Sequence, residues 1–273
     1  MSDGLEVHFE AKEGVGTITL NRPKANAYDP AFMARLLETV RAADADPAVR
    51  VVLIRSALPR FFSGGADVKA FARNSTDANR ALVLDARAVL AAIEDSGKVF
   101  IAVIAGHALG GGLELAMGCD LRFAAKGEYQ LGLPEVRLGL MPGNGGAVRL
   151  PRLVGMSRAL DLLVTGASIG PAEAHRIGLL DRLLPPSELE QSATDYAQAL
   201  VHGPAEAIAA IKRCLYRGAD LSVDDALALE SECVDALYDS ADAAEGLQAF
   251  AEKRPPVFTG QRPLDLTTAP QNP

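Results

Sequence analysis

Two glycine-rich turns, Gly64-Gly65-Ala66 and Gly110-Gly111-Gly112, constrain this chain more than any other feature. Each follows a strand pattern, and each opens a helical one. The strand patterns, 49–55 and 99–105, are apolar runs rich in β-branched residues. Glycine removes the side chain that would hold another group away from the backbone. A helix start carries unpaired N–H donors and the positive end of the helix dipole. Two such starts brought together would form an oxyanion hole, with the N–H groups of Ala66 and Gly111 as natural donors. One such donor is worth about 2.7–4 kcal/mol in a transition state. A third unit runs from Leu121 through Leu133-Pro134-Glu135 to Pro142-Gly143-Asn144-Gly145-Gly146 and opens another helix. The repetition is of architecture rather than of sequence, and it predicts an α/β class with stacked strand–helix turns.

The flanking segments extend this order. Alternating strands are predicted over 7–11 and 15–20, joined across Glu13-Gly14 and ended by Asn21-Arg22-Pro23, since proline cannot donate to a ladder. Asp29-Pro30 is an N-cap followed by proline at the first helical position, and Phe32, Leu36 and Val40 form that helix's apolar face. A further helix is predicted over 77–95, with Val83, Ala86, Leu90 and Ile93 on one face. Beyond Pro185-Pro186 the strand signals stop. Helical patterns follow over 204–217, 223–238 and 241–253, the second with Ser222 and Asp225 placed as a capping box. These helices suit a lid or an oligomer interface. From Thr259 onward proline, glutamine and threonine suggest a loose tail.

Composition excludes several classes. The 273 residues suffice for one large core, or for a core plus a smaller helical piece. No run approaches the roughly 18 apolar residues of a membrane-spanning helix. Residues 1–10 are acidic and lack the apolar stretch of a signal peptide. Cys119, Cys214 and Cys233 are far apart, without a C-x-x-C pair, which fits reduced thiols in a cytoplasmic protein. A net charge of −8 argues against a general nucleic-acid surface, although a few local basic residues can still serve a small anionic ligand. Neither glycine turn reads as a P-loop or a dinucleotide fingerprint, and Ser63 lies in no nucleophile elbow. His8, His107, His175 and His202 have no metal-ligand spacing, so no metal is expected.

Two carboxylates carry the chemistry. Glu114 lies in the first turn of a helix whose neighbours Leu113, Leu115, Ala116 and Met117 are apolar on every side. That pattern implies a helix buried nearly all round. A buried carboxylate must find a partner or stay protonated, and no basic residue stands one turn away. Glu135 follows Pro134 among Leu131, Leu133, Val136 and Leu138, with Arg137 close by, so that the segment could instead lie at the surface. Paired carboxylates in an apolar site can be driven to different pKa values, which suits one acid and one base. His107 lies nearest the site, but a lone histidine at a strand end is more often structural.

With those residues in view, the chain resembles the crotonase (enoyl-CoA hydratase/isomerase) superfamily. The resemblance rests on Phe62-Ser63-Gly64-Gly65-Ala66-Asp67-Val68-Lys69, on Gly106 through Glu114, and on Pro134-Glu135 through Pro142-Gly143, which match in order and spacing. Leu20-Asn21-Arg22-Pro23, the Ile177 to Asp181 stretch and Phe250 to Arg254 extend it over about residues 5–258. It implies an α/β crotonase-type spiral of ββα turns with a helical C-terminal part. The core with CoA and catalytic sites would span 1–200, the oligomerisation or lid helices 201–258, and the tail 259–273.

It further implies that the Ala66 and Gly111 N–H groups hold the thioester oxygen. Glu114 would hold and deprotonate water, Glu135 would protonate Cα, and the Gly143 N–H would help place the water. Coenzyme A contacts carry over to Lys24, Ala25, Arg60, Ala66, Asp67, Val68, Lys69 and Leu109, with Phe250 and Lys253 reaching a CoA site from the C-terminal helices, in some members on a neighbouring subunit. The reaction implied is hydration of a trans-2-enoyl-CoA without a further cofactor, coenzyme A being part of the substrate. The assembly implied is a homotrimer or homohexamer, with no nucleic acid or membrane partner. There are three departures from the family pattern: His107 stands where asparagine is usual and Asn144 where a small residue is usual, both flanking the acyl site, and Tyr28 stands where leucine is common. The rivals are Δ3–Δ2 enoyl-CoA isomerisation, an RNA-binding role that the missing lysine-rich helix disfavours, and an inactive scaffold.

Overall fold

The computed structural model describes residues 6–260, so most of the tail expected over 259–273 lies outside the described residues. Strand β1 (Val7–Lys12) turns back into β2 (Val15–Leu20) across Glu13 and Gly14, both at positive φ (49° and 83°). Two left-handed residues make the tight turn whose twist matches antiparallel strands. Helix α1 (Pro30–Ala45) starts as expected: the Asp29 side chain accepts from the Phe32 N–H at 2.9 Å, with Pro30 in the first turn. Phe32, Leu36 and Val40 are buried.

Three strand–strand–helix turns follow. The first is β3 (Val51–Ser56), β4 (Phe61–Ser63), the short α2 (Val68–Phe71) and α3 (Thr76–Asp95). The second is β5 (Val99–Ile104), β6 (His107–Leu109) and α4 (Gly111–Gly118). The third is β7 (Leu121–Ala125), β8 (Leu131–Gly132), a 3-10 helix (Pro134–Leu138) and α5 (Gly146–Val154). Then come α6 (Met156–Thr165), β9 (Ser168–Ile169), α7 (Pro171–Arg176), β10 (Arg182–Leu184) and α8 (Leu189–Val201). The C-terminal helices are α9 (Ala205–Gly218), α10 (Val223–Tyr238) and α11 (Ala241–Glu252).

Each turn gives one strand to each of two sheets. The larger has the order β1-β2-β3-β5-β7-β10, parallel except between β1 and β2. The smaller has the order β4-β6-β8-β9, parallel except between β8 and β9. This is the expected spiral of ββα turns with helices at its C-terminal end. The strands of the small sheet, two or three residues each, are too short to show alternation in sequence.

The central strands read as continuous apolar runs because both faces of the large sheet are covered. Phe100, Ala102 and Ile104 of β5 face the main core, shared with α1, α3 and α4. Ile101 and Val103 face a second cluster closed by Leu189, Ala193 and Ala197 of α8, a helix the sequence reading passed over. At the C-terminal end the Ser222 hydroxyl accepts from the Asp225 N–H, capping α10 as expected. Thr259 and Gly260 donate to Asp242 of α11. Among the described residues no helix is long and apolar enough to cross a membrane.

Candidate active site

The first glycine turn is held from one side by residues 25–28. The Gly64 N–H donates to the Ala25 carbonyl (2.8 Å), the Tyr28 N–H to Gly65 (2.9 Å), and the Asp67 N–H to Tyr28 (3.0 Å). Tyr28 thus takes both its bonds from the residues flanking Ala66, in a parallel bridge. In such a bridge the central residue's own N–H points to the opposite side. The Ala66 N–H has no acceptor among the described residues.

The second glycine turn lies against the first. Gly110, at φ 52° and ψ −130°, carries the chain from β6 into α4, where Gly111 is the first residue and its N–H has no carbonyl one turn back. A methyl group built on Gly65 would lie 2.8 Å from the Leu109 carbonyl oxygen and 2.9 Å from the Gly111 nitrogen. One built on Gly111 would collide with the Tyr28 hydroxyl, and one on Gly112 with the Ser63 carbonyl. The structure therefore brings the Ala66 and Gly111 segments together, and glycine is what allows that approach.

Glu114 projects from the first turn of α4, all eight residues of which are buried, and is itself 1% exposed. Burial raises its pKa, while the N–H groups of Gly146 and Asn144, at 2.8 and 2.7 Å from Oε1, draw it back towards the ionised form. The missing basic neighbours come from other elements. Arg149, gripped by Glu94 at 2.8 and 2.6 Å, donates to the Asn144 carbonyl (2.9 Å), and Arg87 of α3 donates to the Gly143 carbonyl (2.7 Å). Both guanidinium groups also favour the Glu114 carboxylate electrostatically. The Gly143 N–H has no acceptor among the described residues.

Glu135 opens the 3-10 helix after Pro134. Burial pushes its pKa up to about 7; its own backbone N–H opposes this and the charge of Glu114 adds to it. Its Oε2 is buried without a hydrogen-bond partner among the described residues, and its Oε1 lies 2.8 Å from where a methyl on Gly110 would stand. Arg137 is exposed and forms no ion pair with Glu135 among the described residues. The two carboxylates thus differ: one is held by main-chain donors, the other is left with a free oxygen.

Of the residues matched to CoA, Lys24 and Ala25 run beside Gly64, and Asp67 caps α2 ahead of Val68 and Lys69. The Arg60 carbonyl accepts from the His107 N–H at 2.9 Å, so Arg60 stands exposed at the rim of β4 and β6, while Leu109 ends β6. Phe250 and Lys253 are not brought to this rim. They lie exposed at the end of α11, which packs on α10.

Sequence reasoning missed Asn26. It is fully buried at φ 49°, and its amide donates to Ser56 and to the Phe62 carbonyl, both at 2.8 Å, while its oxygen accepts from the Arg22 N–H at 2.7 Å. The Ser63 hydroxyl donates to its carbonyl at 2.9 Å. It pins the strand that leads into Ala66. The one signal in sequence is that asparagine tolerates left-handed backbone. Asn26→Ala is expected to lower stability by about 3 kcal/mol, because it strands several buried polar groups. Urea denaturation measures this, and a loss below about 0.5 kcal/mol would show the network to be dispensable.

Comparison with known proteins follows the same lines. The family description "Enoyl-CoA hydratase/isomerase" matches residues 10–261. A short-chain-enoyl-CoA hydratase of Clostridium acetobutylicum is 37% identical over 245 residues, covering 89% of this chain and 94% of the relative. An enoyl-CoA isomerase/hydratase of Mycosarcoma maydis is 35% identical over 257 residues, covering 91% and 93%. Among solved structures, that of an enoyl-CoA hydratase from Geobacillus kaustophilus superposes with a TM-score of 0.92 at 37% identity, over 95% of this chain and 98% of that one.

Proposed function

Since the chain belongs to the enoyl-CoA hydratase/isomerase family, we propose that it adds water across the double bond of a trans-2-enoyl-CoA to give the 3-hydroxyacyl-CoA. The observation that carries this reading is the pair of unlike carboxylates, Glu114 buried and Glu135 half-buried, beside two adjoining glycine turns. The thioester oxygen lies between the Ala66 and Gly111 N–H groups, which draws electron density from Cβ. Glu114, whose two main-chain donors favour its ionised form against burial, takes a proton from water as the water oxygen bonds to Cβ. The alkene electron pair moves towards the thioester oxygen as an enolate. Glu135, whose pKa of about 7 leaves a large share of it protonated at neutral pH, gives its proton to Cα, and proton exchange between the carboxyl groups resets the site.

The CoA phosphates fall to Arg60 and Lys69, and the adenine and pantetheine to the backbone at Lys24, Ala25 and 66–68, with Leu109 beside them. Phe250 and Lys253 then serve a neighbouring subunit's CoA in a trimer or hexamer. Residues 1–200 form the catalytic core, and 201–258 the helical part through which subunits meet. Apolar side chains exposed on α9 and α10, among them Ile211, Leu215 and Leu227, support that role.

Loss of the conjugated chromophore of crotonyl-CoA reads the reaction directly. With Glu135 acting as the acid, kcat/KM falls as pH rises through about 7, where its proton is lost. The residual activity of Glu135→Gln is expected to lack that alkaline limb. An unchanged limb would assign it to another group. The isomerase half of the Mycosarcoma maydis relative's name supplies a second reading, the shift of a 3-enoyl-CoA into conjugation. Formation of the chromophore from that substrate without net hydration would favour it.

A further inference from the structure

Tyr28 and Asn144, two of the three departures from the family pattern, are 116 positions apart and hydrogen-bonded to each other: the Asn144 side-chain amide donates to the Tyr28 hydroxyl at 2.8 Å. Both are buried, at 5% exposure each. Tyr28 links both glycine turns to the loop that holds Glu114. Its backbone is bridged to Ala66, and its hydroxyl fills the space a side chain at Gly111 would need. Through Asn144 it reaches the loop whose N–H groups hold Glu114 at 2.7 and 2.8 Å.

We infer that Tyr28 is a positioning residue: bonded to the Asn144 side chain, it locks the loop that holds the Glu114 carboxylate in register with both N–H donors of the oxyanion hole. A phenylalanine would keep the packing of the ring, but could not accept from Asn144. Asn144 Oδ1 is buried without a partner, so the bond to Tyr28 is the side chain's single anchor among the described residues. The backbone on either side of that anchor is tied down by Arg149 and Arg87. Burial, with the nearby charge of Glu114, raises the phenol's pKa far above its ordinary value, so it stays neutral and acts as a fixed dipole rather than as a base.

This inference rests on the two-carboxylate reading for its kinetic consequences, and its test has an arm that does not. Tyr28→Phe keeps the ring and deletes the bond. It is expected to lower kcat about tenfold with KM changed less than about twofold, the pattern of a displaced catalytic group. With the side-chain anchor lost, the loop is held by its two carbonyl contacts alone, the Asn144 and Gly146 N–H bonds to Glu114 weaken, and its pKa rises further. The groups facing Glu114 are Tyr28, Glu135, Arg149 and Arg87, and the substitution changes the charge of none of them. The acid limb of the kcat profile therefore moves to higher pH. The cycle with Asn144→Ala is expected to be non-additive, the double variant being no slower than the slower single one.

The arm independent of turnover follows the Glu114 side-chain carboxyl by carbon NMR titration, with Glu114→Gln identifying its resonance. An upward shift in Tyr28→Phe supports the link whether or not the chain hydrates an enoyl-CoA. An unshifted Glu114, an unchanged kcat and acid limb, or additive effects in the cycle would each overturn it. A wild-type chain inert towards crotonyl-CoA would count against the hydratase reading alone.

Discussion

Glu114→Gln is expected to abolish all but a trace of crotonyl-CoA hydration, lowering kcat by about 10²–10⁴-fold while the protein stays folded. Glutamine has the shape of glutamate, and its carbonyl oxygen can still accept from the Asn144 and Gly146 N–H groups that now meet Oε1. The loss therefore falls on proton transfer, for which a positioned acid or base contributes about that factor. Glu135→Gln should cost a comparable factor, because an amide cannot release the proton destined for Cα. The two are expected to act as a unit, so the double variant should be little slower than the worse single one. Absorbance kinetics on the three variants, with circular dichroism to establish folding, decides the matter. Wild-type turnover in either single variant would end the two-carboxylate mechanism.

Gly111→Ala is the second large effect. In the interior of an exposed helix this change gains about 1 kcal/mol of helix propensity. Here the added methyl would overlap the Tyr28 hydroxyl and press on its ring, which is buried against α1 and the first glycine turn. Either Tyr28 swings away, which breaks its bond to Asn144, or the start of α4 shifts and takes the Gly111 N–H out of line. Stability is expected to fall by about 1–3 kcal/mol through overpacking, and kcat by about 10²–10³-fold through the misplaced donor. Gly127→Ala is the control, since a methyl there meets only the Tyr129 ring at 3.4 Å, an ordinary contact. A Gly111→Ala enzyme with normal kcat would show that this amide does not hold the reacting oxygen.

Much of this was legible in the sequence because it is local. The apolar ring around Glu114 announces a helix buried on every side, and α4 is so buried. Asp29-Pro30 and Ser222 mark helix starts because a cap needs residues one turn apart. The alternating faces of β5 follow from its unbroken apolar run. What escaped notice has no local signature. The short strands β4 and β6 are defined by pairing with each other. Helix α8 is stabilised by the sheet face it covers, which the chain supplies from well upstream. Asn26 matters through bonds to Ser56 and Phe62, and the Tyr28–Asn144 bond joins residues with nothing between them in sequence to connect them.

The sequence by itself determined which residue types stood ready: glycines before helices, a glutamate in an apolar helix, a second one after proline. Those are properties of periodicity and of backbone permissiveness within a few residues. Tertiary structure alone decided what the two carboxylates would become. The main-chain N–H groups of Asn144 and Gly146 reach Glu114 across 30 and 32 residues, while Glu135 Oε2 is buried with no partner among the described residues. A carboxyl group's pKa depends on how much water is excluded and which donors replace it. Both are fixed only when distant segments pack.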